Sequence, residues 1–254
     1  MKKSLVFIIL FLSLPAVLAD WYINSESIVA NISIKGGADI VYYSANGYIK
    51  SASVNMTFFP RRTFTQEQIR FATSPQAEAA NNQIVFSWDN PKEKLNFGLD
   101  AIIRVKKETA KIYKKIDFPI LSLPSEVVPY TKPSPTIDSN EDGIIKLGSE
   151  LAKGDDDLYS VVFKIADWTK NNVRYNLSTL TADVSEKASW VLQNRYGVCD
   201  EITSLFIALL RSVGIPARFV SGISYTNSEL FSKSWVPHGW AEVYFQITAG
   251  FRLM

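Results

Sequence analysis

The sequence predicts an α+β protein in which a β-rich domain precedes a domain of helices packed on an antiparallel sheet. Between about residues 20 and 120, β-branched and aromatic residues alternate with polar ones, which is typical of half-buried strands. After residue 155, apolar residues recur first at helical and then at strand spacing. Five prolines between residues 119 and 135 separate the two patterns, and we expect an extended segment without a helix there. We therefore expect a leader at 1–19, a β-rich domain at 20–120, a Pro-rich linker at 121–140 and the α+β domain at 141–254.

The leader has the composition of a secretory signal peptide. Lys2 and Lys3 precede an apolar run over residues 5–18, and the run ends in Val17, Leu18 and Ala19, which fit a small-residue cleavage site. The run is short for a membrane span, although an uncleaved anchor is the alternative. We expect a secreted or cell-surface protein, and an uncleaved leader would associate it with the membrane.

The first domain is expected to be a β-sandwich. Its candidate strands are residues 27–34, 38–43, 48–58, 83–88 and 95–106, and the dipeptides Asn46-Gly47 and Asn90-Pro91 mark turns between them. Strands at this spacing favour two packed antiparallel sheets. The pattern assigns this domain no chemistry, so we expect it to position the second domain or to bind a surface polymer.

The start of the second domain is rich in acidic residues. The run from Asp138 to Gly143 nearly matches a calcium-binding loop, but Ser149 stands where the loop needs a bidentate glutamate. A helix cap of Asp and Ser before the apolar residues at 144–147 explains the same run. Asp155, Asp156 and Asp157 are expected to begin a helix that continues through Trp168.

Charge and cysteine content exclude several classes of function. Lys and Arg number 27 against 25 Asp and Glu, and no basic stripe interleaved with aromatics is present, so no nucleic-acid partner is expected. The chain has one cysteine, which excludes an internal disulfide and a cysteine-based zinc site. We expect neither a metal nor a cofactor.

The single cysteine, Cys199, lies where a glycine turn meets a strongly amphipathic helix. The apolar stripe of that helix consists of Ile202, Leu205, Phe206, Leu209, Leu210 and Val213. Unpaired backbone amides at a helix N-terminus favour a thiolate and can also stabilise an oxyanion. Asp200 and Glu201 are expected in the first turn, where they suit the positive end of the helix dipole. They oppose the thiolate, however, because nearby negative charge raises a thiol pKa. A positive partner is therefore needed.

The single histidine, His238, lies on a predicted strand and can supply that partner. Residues 217–223 form the preceding strand, residues 225–233 a loop, and His238 then shares one strand face with Trp240, Glu242 and Tyr244. A thiol on a helix terminus and an imidazole on a strand are the parts of a thiol nucleophile and its general base.

Several motifs together resemble the transglutaminase-like core of the papain-like cysteine hydrolases and transferases of bacteria and archaea. They are Tyr196-Gly197-Val198-Cys199, Ala208-Leu209-Leu210-Arg211, Gly214-Ile215-Pro216-Ala217-Arg218 and His238-Gly239-Trp240-Ala241-Glu242-Val243, with Trp168 and Val173-Arg174-Tyr175 upstream. The resemblance implies helices packed on an antiparallel sheet and a Cys-His-Asp triad in which Cys199 and His238 take the first two roles. The family's aspartate follows a Gly-Trp on the next strand, and this sequence departs from the pattern there.

The departure leads to an expectation about residues 247–254. When these residues are back-translated and one adenine is restored before them, a suitable choice of free codons reads Gly-Trp-Ile-Pro-Val-Asp in the other frame. We interpret the tail as the frameshifted or misread end of a longer protein, with natural truncation as the alternative. Either way, we expect the last strands to be missing and residues 243–245 to form an unpaired apolar edge.

The function expected from these residues is thioester chemistry on protein or peptide amides. Cys199 attacks the amide carbonyl, His238 is the general base, and water or an amine then resolves the thioester, as in a peptidase or a transglutaminase. Tyr175 and Gln193 are candidates for the second oxyanion donor, and the aromatic residues Trp190, Tyr196, Trp235 and Trp240 are candidates for the cleft wall. Two alternatives are a non-catalytic binding module that lacks the triad aspartate, and an inactive broken product.

Overall fold

The computed structural model describes residues 25–44, 46–80, 82–91, 94–108, 112–179, 185–226, 229, 231–232, 234–247 and 250–253. The predicted signal peptide lies outside these residues. The chain divides into two compact units, Met1–Glu108 and Thr109–Met254. Within the described part of the chain, no helix has the length and apolarity that a membrane span requires.

The first unit consists of two antiparallel three-stranded sheets. One sheet has the order β1-β6-β3 and the other the order β2-β5-β4. The strands are β1 Ser27–Ala38, β2 Ser51–Met56, β3 Gln66–Ser74, β4 Glu78–Ala80, β5 Gln83–Asp89 and β6 Leu95–Lys106. The register pairs Ser27 with Lys106 and Ala38 with Leu95, so β1 and β6 match over their full length.

The two sheets share one apolar core, which confirms the predicted sandwich. Met56, Ile84 and Phe86 come from one sheet, and they pack in one cluster with residues of the other sheet, namely Leu99, Ala101 and Ile103. On β6 these three are separated by single residues, so the period-2 alternation in the sequence places them all on the inner face.

The strands of this unit differ from the prediction at three places. Residues 39–43 are not a strand, and β3 and β4 were not predicted. Most of the side chains of β3 are polar or exposed, and Phe71 is its member that packs against the core. β3 is therefore a strand because it pairs with β6, and not because its own sequence alternates apolar and polar residues.

The second unit places helices against an antiparallel sheet, as the sequence predicts. Its helices are α1 Asp142–Ala152, α2 Leu158–Asn172, α3 Ala188–Asn194 and α4 Cys199–Ser212, and its strands are β7 Arg174–Tyr175, β8 Tyr196–Gly197, β9 Ala217–Tyr225, β10 Trp235–Ile247 and β11 Gly250–Leu253. β7 pairs with β8 in parallel, and β9, β10 and β11 form the antiparallel sheet with β10 in the middle. Val243 and Phe245 of β10 pack in one core with α4.

Helix α4 is buried on more of its surface than the predicted stripe. Leu205, Leu209 and Leu210 are fully buried as expected, while Ile202 is partly buried. Glu201, Ser204, Ile207 and Ala208 are buried in addition. The reason is that α4 contacts α1, α2 and α3 as well as β10, so that it is covered on several sides.

The acidic starts of α1 and α2 differ in their capping. Asp157 is the N-cap of α2 and accepts a hydrogen bond from the Ser160 amide, as an acidic helix start predicts. The predicted Asp–Ser cap of α1 is wrong, because Glu141 is its N-cap and no side chain caps it. Asp138 is buried and instead accepts hydrogen bonds from the Ser189 amide (3.0 Å) and hydroxyl (2.5 Å) in the first turn of α3.

The predicted Pro-rich linker lies within the second unit rather than between the two units. It contains a short 3₁₀ helix, Val128–Thr131, so the expectation that it has no helix is wrong. Val127 and Ile137 are buried, and Arg211 Nη1 of α4 donates to the Lys132 carbonyl at 2.6 Å. Apolar side chains between the prolines therefore hold this segment against the unit.

The expected unpaired edge at residues 243–245 is partly occupied. β11 pairs with the end of β10, with Tyr244 opposite Leu253 and Phe245 opposite Arg252. One strand that was expected to be missing is therefore present in the sheet.

Candidate active site

Cys199 is the first residue of α4, as the glycine turn and the apolar stripe predict. Its N-cap is Val198, which has extended backbone (φ −98°, ψ −169°) and a side chain without any hydrogen-bond acceptor. The first intrahelical bond runs from the Ile202 amide to the Val198 carbonyl at 3.0 Å. The amides of the first turn of α4 therefore lack a side-chain cap, and the partly buried thiol lies beside them.

Glu201 was expected to be a first-turn acid that faces the helix dipole, but it is buried, with 1% of its surface exposed. Its Oε2 accepts a hydrogen bond from the Val198 amide at 2.9 Å and from the Thr179 hydroxyl at 2.6 Å. Its Oε1 accepts from the Glu186 amide at 3.3 Å. The carboxylate thus joins three segments around the turn that carries Cys199. The available sequence signal is its position at N3, where a glutamate can bond the N-cap amide.

Tyr175 reaches the site through the short parallel pair β7–β8. The Arg174 amide donates to the Arg195 carbonyl and the Asn176 amide to the Gly197 carbonyl, both at 2.9 Å. Burial raises the pKa of the Tyr175 phenol, and the negative charges of Cys199 and Asp200 raise it further. The phenol is therefore a protonated hydrogen-bond donor at neutral pH, and it is 49% exposed.

Gln193, the other candidate oxyanion donor, lies exposed near the end of α3. No hydrogen bond joins it to Cys199 among the described residues. The structure thus brings Tyr175 into the electrostatic surroundings of the thiol.

His238 lies on β10 directly opposite Gly222 of β9, and its side chain is exposed. Its ring stacks with that of Trp240, with centroids 6.4 Å apart and planes inclined by 29°. The Trp240 ring in turn covers Gly222, where an added Cβ would stand 2.7 Å from Cζ3 of Trp240 and closer to Cη2. A side chain at this position would have to displace the Trp240 ring, because the indole occupies the space that a Cβ would fill.

A hydrogen bond between α4 and β10 relates the cysteine to the histidine. The Thr203 hydroxyl donates to the Gly239 carbonyl at 3.3 Å. Thr203 lies one turn after Cys199 on the same helix face, about 6 Å along the axis. The cysteine end of α4 and the histidine end of β10 therefore lie at the same end of the layer. No hydrogen bond between Cys199 and His238 occurs in the described part of the chain.

Glu242, the acidic residue nearest to His238 on β10, already pairs with Arg218. Glu242 Oε2 accepts from Arg218 Nε at 2.8 Å and lies 2.6 Å from Arg218 Nη2. Among the residues that the structure describes, no carboxylate is hydrogen-bonded to His238. The same residues contain no group of three His, Cys, Asp or Glu that could hold a metal ion.

The four candidate cleft aromatics fall into two groups. Trp190 and Tyr196 are partly buried and pack edge to face at 5.2 Å, and Trp190 contacts the core. Trp235 is 53% exposed and packs against Tyr225, its partner in the register, while Trp240 is 38% exposed. Their role as a cleft wall stays a prediction, for which Trp235 and Trp240 have the required exposure.

Comparison with known proteins supports the resemblance that the motifs indicate. Residues 145–250 match the model of the transglutaminase-like superfamily. The chain is 28% identical over 123 residues to YebA, an uncharacterized protein of Bacillus subtilis. That match covers 42% of this chain and 16% of the relative, so the chain spans about a sixth of the relative's length.

A solved structure with a TM-score above 0.5 shows the same fold. A candidate cysteine protease from Cytophaga hutchinsonii superposes with a TM-score of 0.57 at 21% identity, over 90% of this chain and 78% of that one. The periplasmic domain of TgpA from Pseudomonas aeruginosa gives a TM-score of 0.41 at 13% identity, over 85% and 74% of the two chains. The predicted transglutaminase-like domain and its mixed α/β fold are thereby confirmed.

Proposed function

We propose that the transglutaminase-like domain of this chain is a thiol-dependent enzyme that cleaves or transfers acyl groups of protein or peptide amides. The observation that carries the proposal is the placement of the one cysteine and the one histidine of the chain. Cys199 begins α4, and Thr203 of the same helix face bonds the carbonyl of Gly239, the residue after His238. This hydrogen bond supports the assignment of Cys199 as nucleophile and His238 as base, because it joins the first turns of α4 to the part of β10 that contains His238.

In the proposed reaction, His238 accepts the thiol proton, directly or through one water. The thiolate of Cys199 attacks the amide carbonyl carbon, and the first-turn amides of α4 stabilise the oxyanion. We assign the second hydrogen bond to the Tyr175 phenol, whose pKa is raised by burial and by the negative charges of Cys199 and Asp200. The carbon–nitrogen bond breaks as the imidazolium gives its proton to the leaving amine, which leaves a thioester on Cys199.

The second half of the reaction decides between two products. Attack by water gives a carboxylic acid and makes the protein a peptidase or amidase, whereas attack by a lysine amine gives a new amide. Both return the thiolate as leaving group, and the same imidazole takes the proton of the incoming nucleophile. We favour hydrolysis, with an exported enzyme acting on protein outside the cell or at its surface, because of the signal-like leader.

The first test measures the reactivity of Cys199 in the full chain. Because the chain has one cysteine, mass spectrometry after iodoacetamide treatment reports that thiol alone. We expect alkylation near pH 6 to be at least about tenfold faster than that of free cysteine, because the thiolate is stabilised. His238→Ala should abolish this advantage, while Lys233→Ala in the preceding segment serves as the matched control and should retain it.

Equal and slow alkylation of wild type and His238→Ala would overturn the catalytic proposal and favour a binding module of the same fold. The absence of a carboxylate on His238 in the described residues is the observation that favours this second function. A protein that alkylates rapidly would next be incubated with a peptide mixture, with and without a lysine amine donor, to distinguish hydrolysis from acyl transfer.

A further inference from the structure

We propose that Glu201 is a positioning residue, whose buried carboxylate holds the turn before Cys199 so that the free amides of α4 face the thiol. The inference rests on the proposed function, because it assigns Glu201 a role in preparing that nucleophile. It does not place Glu201 among the groups that touch substrate.

The hydrogen bonds of the carboxylate come from three separate parts of the chain. The Val198 amide precedes Cys199 directly, while the Thr179 hydroxyl and the Glu186 amide belong to the chain before α3. Three donors satisfy a carboxylate whose residue is 1% exposed, and this compensates the cost of burying its charge. Removal of the acceptor would leave the Val198 amide without a partner in the interior.

The carboxylate also lies in contact with the turn itself. An added Cβ at Gly197 would stand 2.9 Å from the Glu201 Cβ and 3.0 Å from its Oε2. The turn from Gly197 to Cys199 therefore lies directly on the Glu201 side chain, and Val198 has no polar side chain with which to fix the start of α4.

The charge of Glu201 and its geometry have opposite effects on the thiol. As a nearby negative charge, a carboxylate raises a thiol pKa. As the acceptor for the Val198 amide, it orients the first turn, and unpaired amides at a helix N-terminus are the groups that favour a thiolate. The other titratable groups that sequence position or electrostatic interaction relates to Cys199 are Tyr175, Asp200 and His238. Of these, Asp200 offers the matched control. It is the adjacent acid and accepts no side-chain hydrogen bond among the described residues.

The test compares Glu201→Gln with Asp200→Asn in the full chain. Both variants remove one negative charge beside Cys199, and the rate of iodoacetamide alkylation is measured across pH to obtain the midpoint of thiol ionisation. We expect Asp200→Asn to lower the midpoint. In Glu201→Gln an NH2 group replaces one of the two acceptor oxygens, so at least one of the three donors loses its partner. We expect this variant to raise the midpoint and to slow alkylation near pH 6 by up to about fivefold, the order expected from loss of helix-terminal stabilisation.

A lowered or unchanged midpoint in Glu201→Gln would overturn the proposal, because Glu201 would then act by charge alone or not at all. An equal rise in both variants would overturn it as well, since the effect would not depend on the hydrogen bonds. If Glu201→Gln does not fold, Thr179→Val removes one donor and keeps all charges. Thr179→Val should raise the midpoint of thiol ionisation by a smaller amount. An unchanged midpoint in this variant would contradict the proposal.

These outcomes are separate from failure of the proposed function. That function fails when wild-type Cys199 does not depend on His238, whereas the positioning role is decided by the opposite shifts of Glu201→Gln and Asp200→Asn.

Discussion

Two glycines of the β9–β10 hairpin provide a matched pair of substitutions. An added Cβ at Gly239 would overlap the ring of Phe219, with 3.1 Å to Cε2 and a shorter approach to Cζ. An added Cβ at Gly222 would overlap the ring of Trp240 to a similar degree. We expect Gly239→Ala and Gly222→Ala to differ in stability, although each places a methyl group on an aromatic ring.

The difference follows from where each ring can move. Phe219 is partly buried and packs against the core of the second unit, so its ring has less open space to enter than a ring at the surface. Overpacking of this kind costs about 1–3 kcal/mol, and the lower entropy of the unfolded alanine chain offsets about 0.4–1 kcal/mol. We expect Gly239→Ala to reduce the free energy of unfolding by about 1–2 kcal/mol, which lowers Tm by about 3–6 °C.

Trp240 is 38% exposed, so its ring can turn towards solvent. A displaced rotamer costs about 0.5–1.5 kcal/mol, and the same entropic offset applies, which leaves a net change near zero. The displaced indole no longer stacks with His238 in its present geometry. We therefore expect Gly222→Ala to keep its stability and to lose part of the His238-dependent alkylation of Cys199.

Thermal unfolding followed by far-ultraviolet circular dichroism is the suitable assay, because the four described α-helices all belong to the second unit. Ser221→Ala serves as a control. Ser221 lies on β9 between Phe219 and Tyr225, and this substitution adds no atom to the hairpin. Equal destabilisation by the two glycine substitutions, or a larger loss in Gly222→Ala, would refute the reasoning from ring mobility.

Three further substitutions test the surroundings of the nucleophile. Tyr175→Phe should slow turnover of an amide substrate about tenfold while alkylation of Cys199 is not slowed, because a donor to the oxyanion is lost but the thiolate stays; equal loss in both assays would contradict this role. Arg195 has a left-handed backbone (φ 64°), so Arg195→Gly should be about 1 kcal/mol more stable than Arg195→Ala in urea unfolding, and the reverse order would contradict it. Arg211→Lys should lower the free energy of unfolding by about 1–2 kcal/mol, because one ammonium cannot replace the guanidinium bonds to the Lys132 and Ala217 carbonyls; an unchanged urea midpoint would show that these bonds contribute nothing.

The start of the nucleophile helix could be predicted because its signals are local. A glycine, a cysteine and an apolar stripe at helical spacing lie within a few residues of one another, and α4 begins at Cys199 as they indicate. The sandwich core could be predicted for the same reason, since strict alternation on β6 is visible without knowledge of its partners. β3 could not, because it gains its place by pairing with β6.

The bonds that Glu201 and Thr203 make with distant segments were not visible in the sequence. Glu201 follows Cys199 closely and reads as an exposed acid, yet its acceptor role depends on Thr179 and Glu186, which lie before α3. Thr203 has no motif of its own, and its bond to Gly239 connects residues 36 apart in the chain. Likewise, the prolines at 119–135 indicate an extended linker. They do not reveal that Arg211 donates a hydrogen bond to the carbonyl of Lys132, 79 residues earlier in the chain.

The sequence by itself determined the identity of the candidate nucleophile and base, the class of fold and the family that the second unit resembles. These depend on residue types and short periodicities, which are properties of neighbouring positions. Only the tertiary structure decided which side chains surround Cys199, that Glu201 is buried beneath its turn, and that α4 is tied to β10 beside His238. Such contacts arise when distant segments exclude water together, and no local pattern specifies which segments will meet.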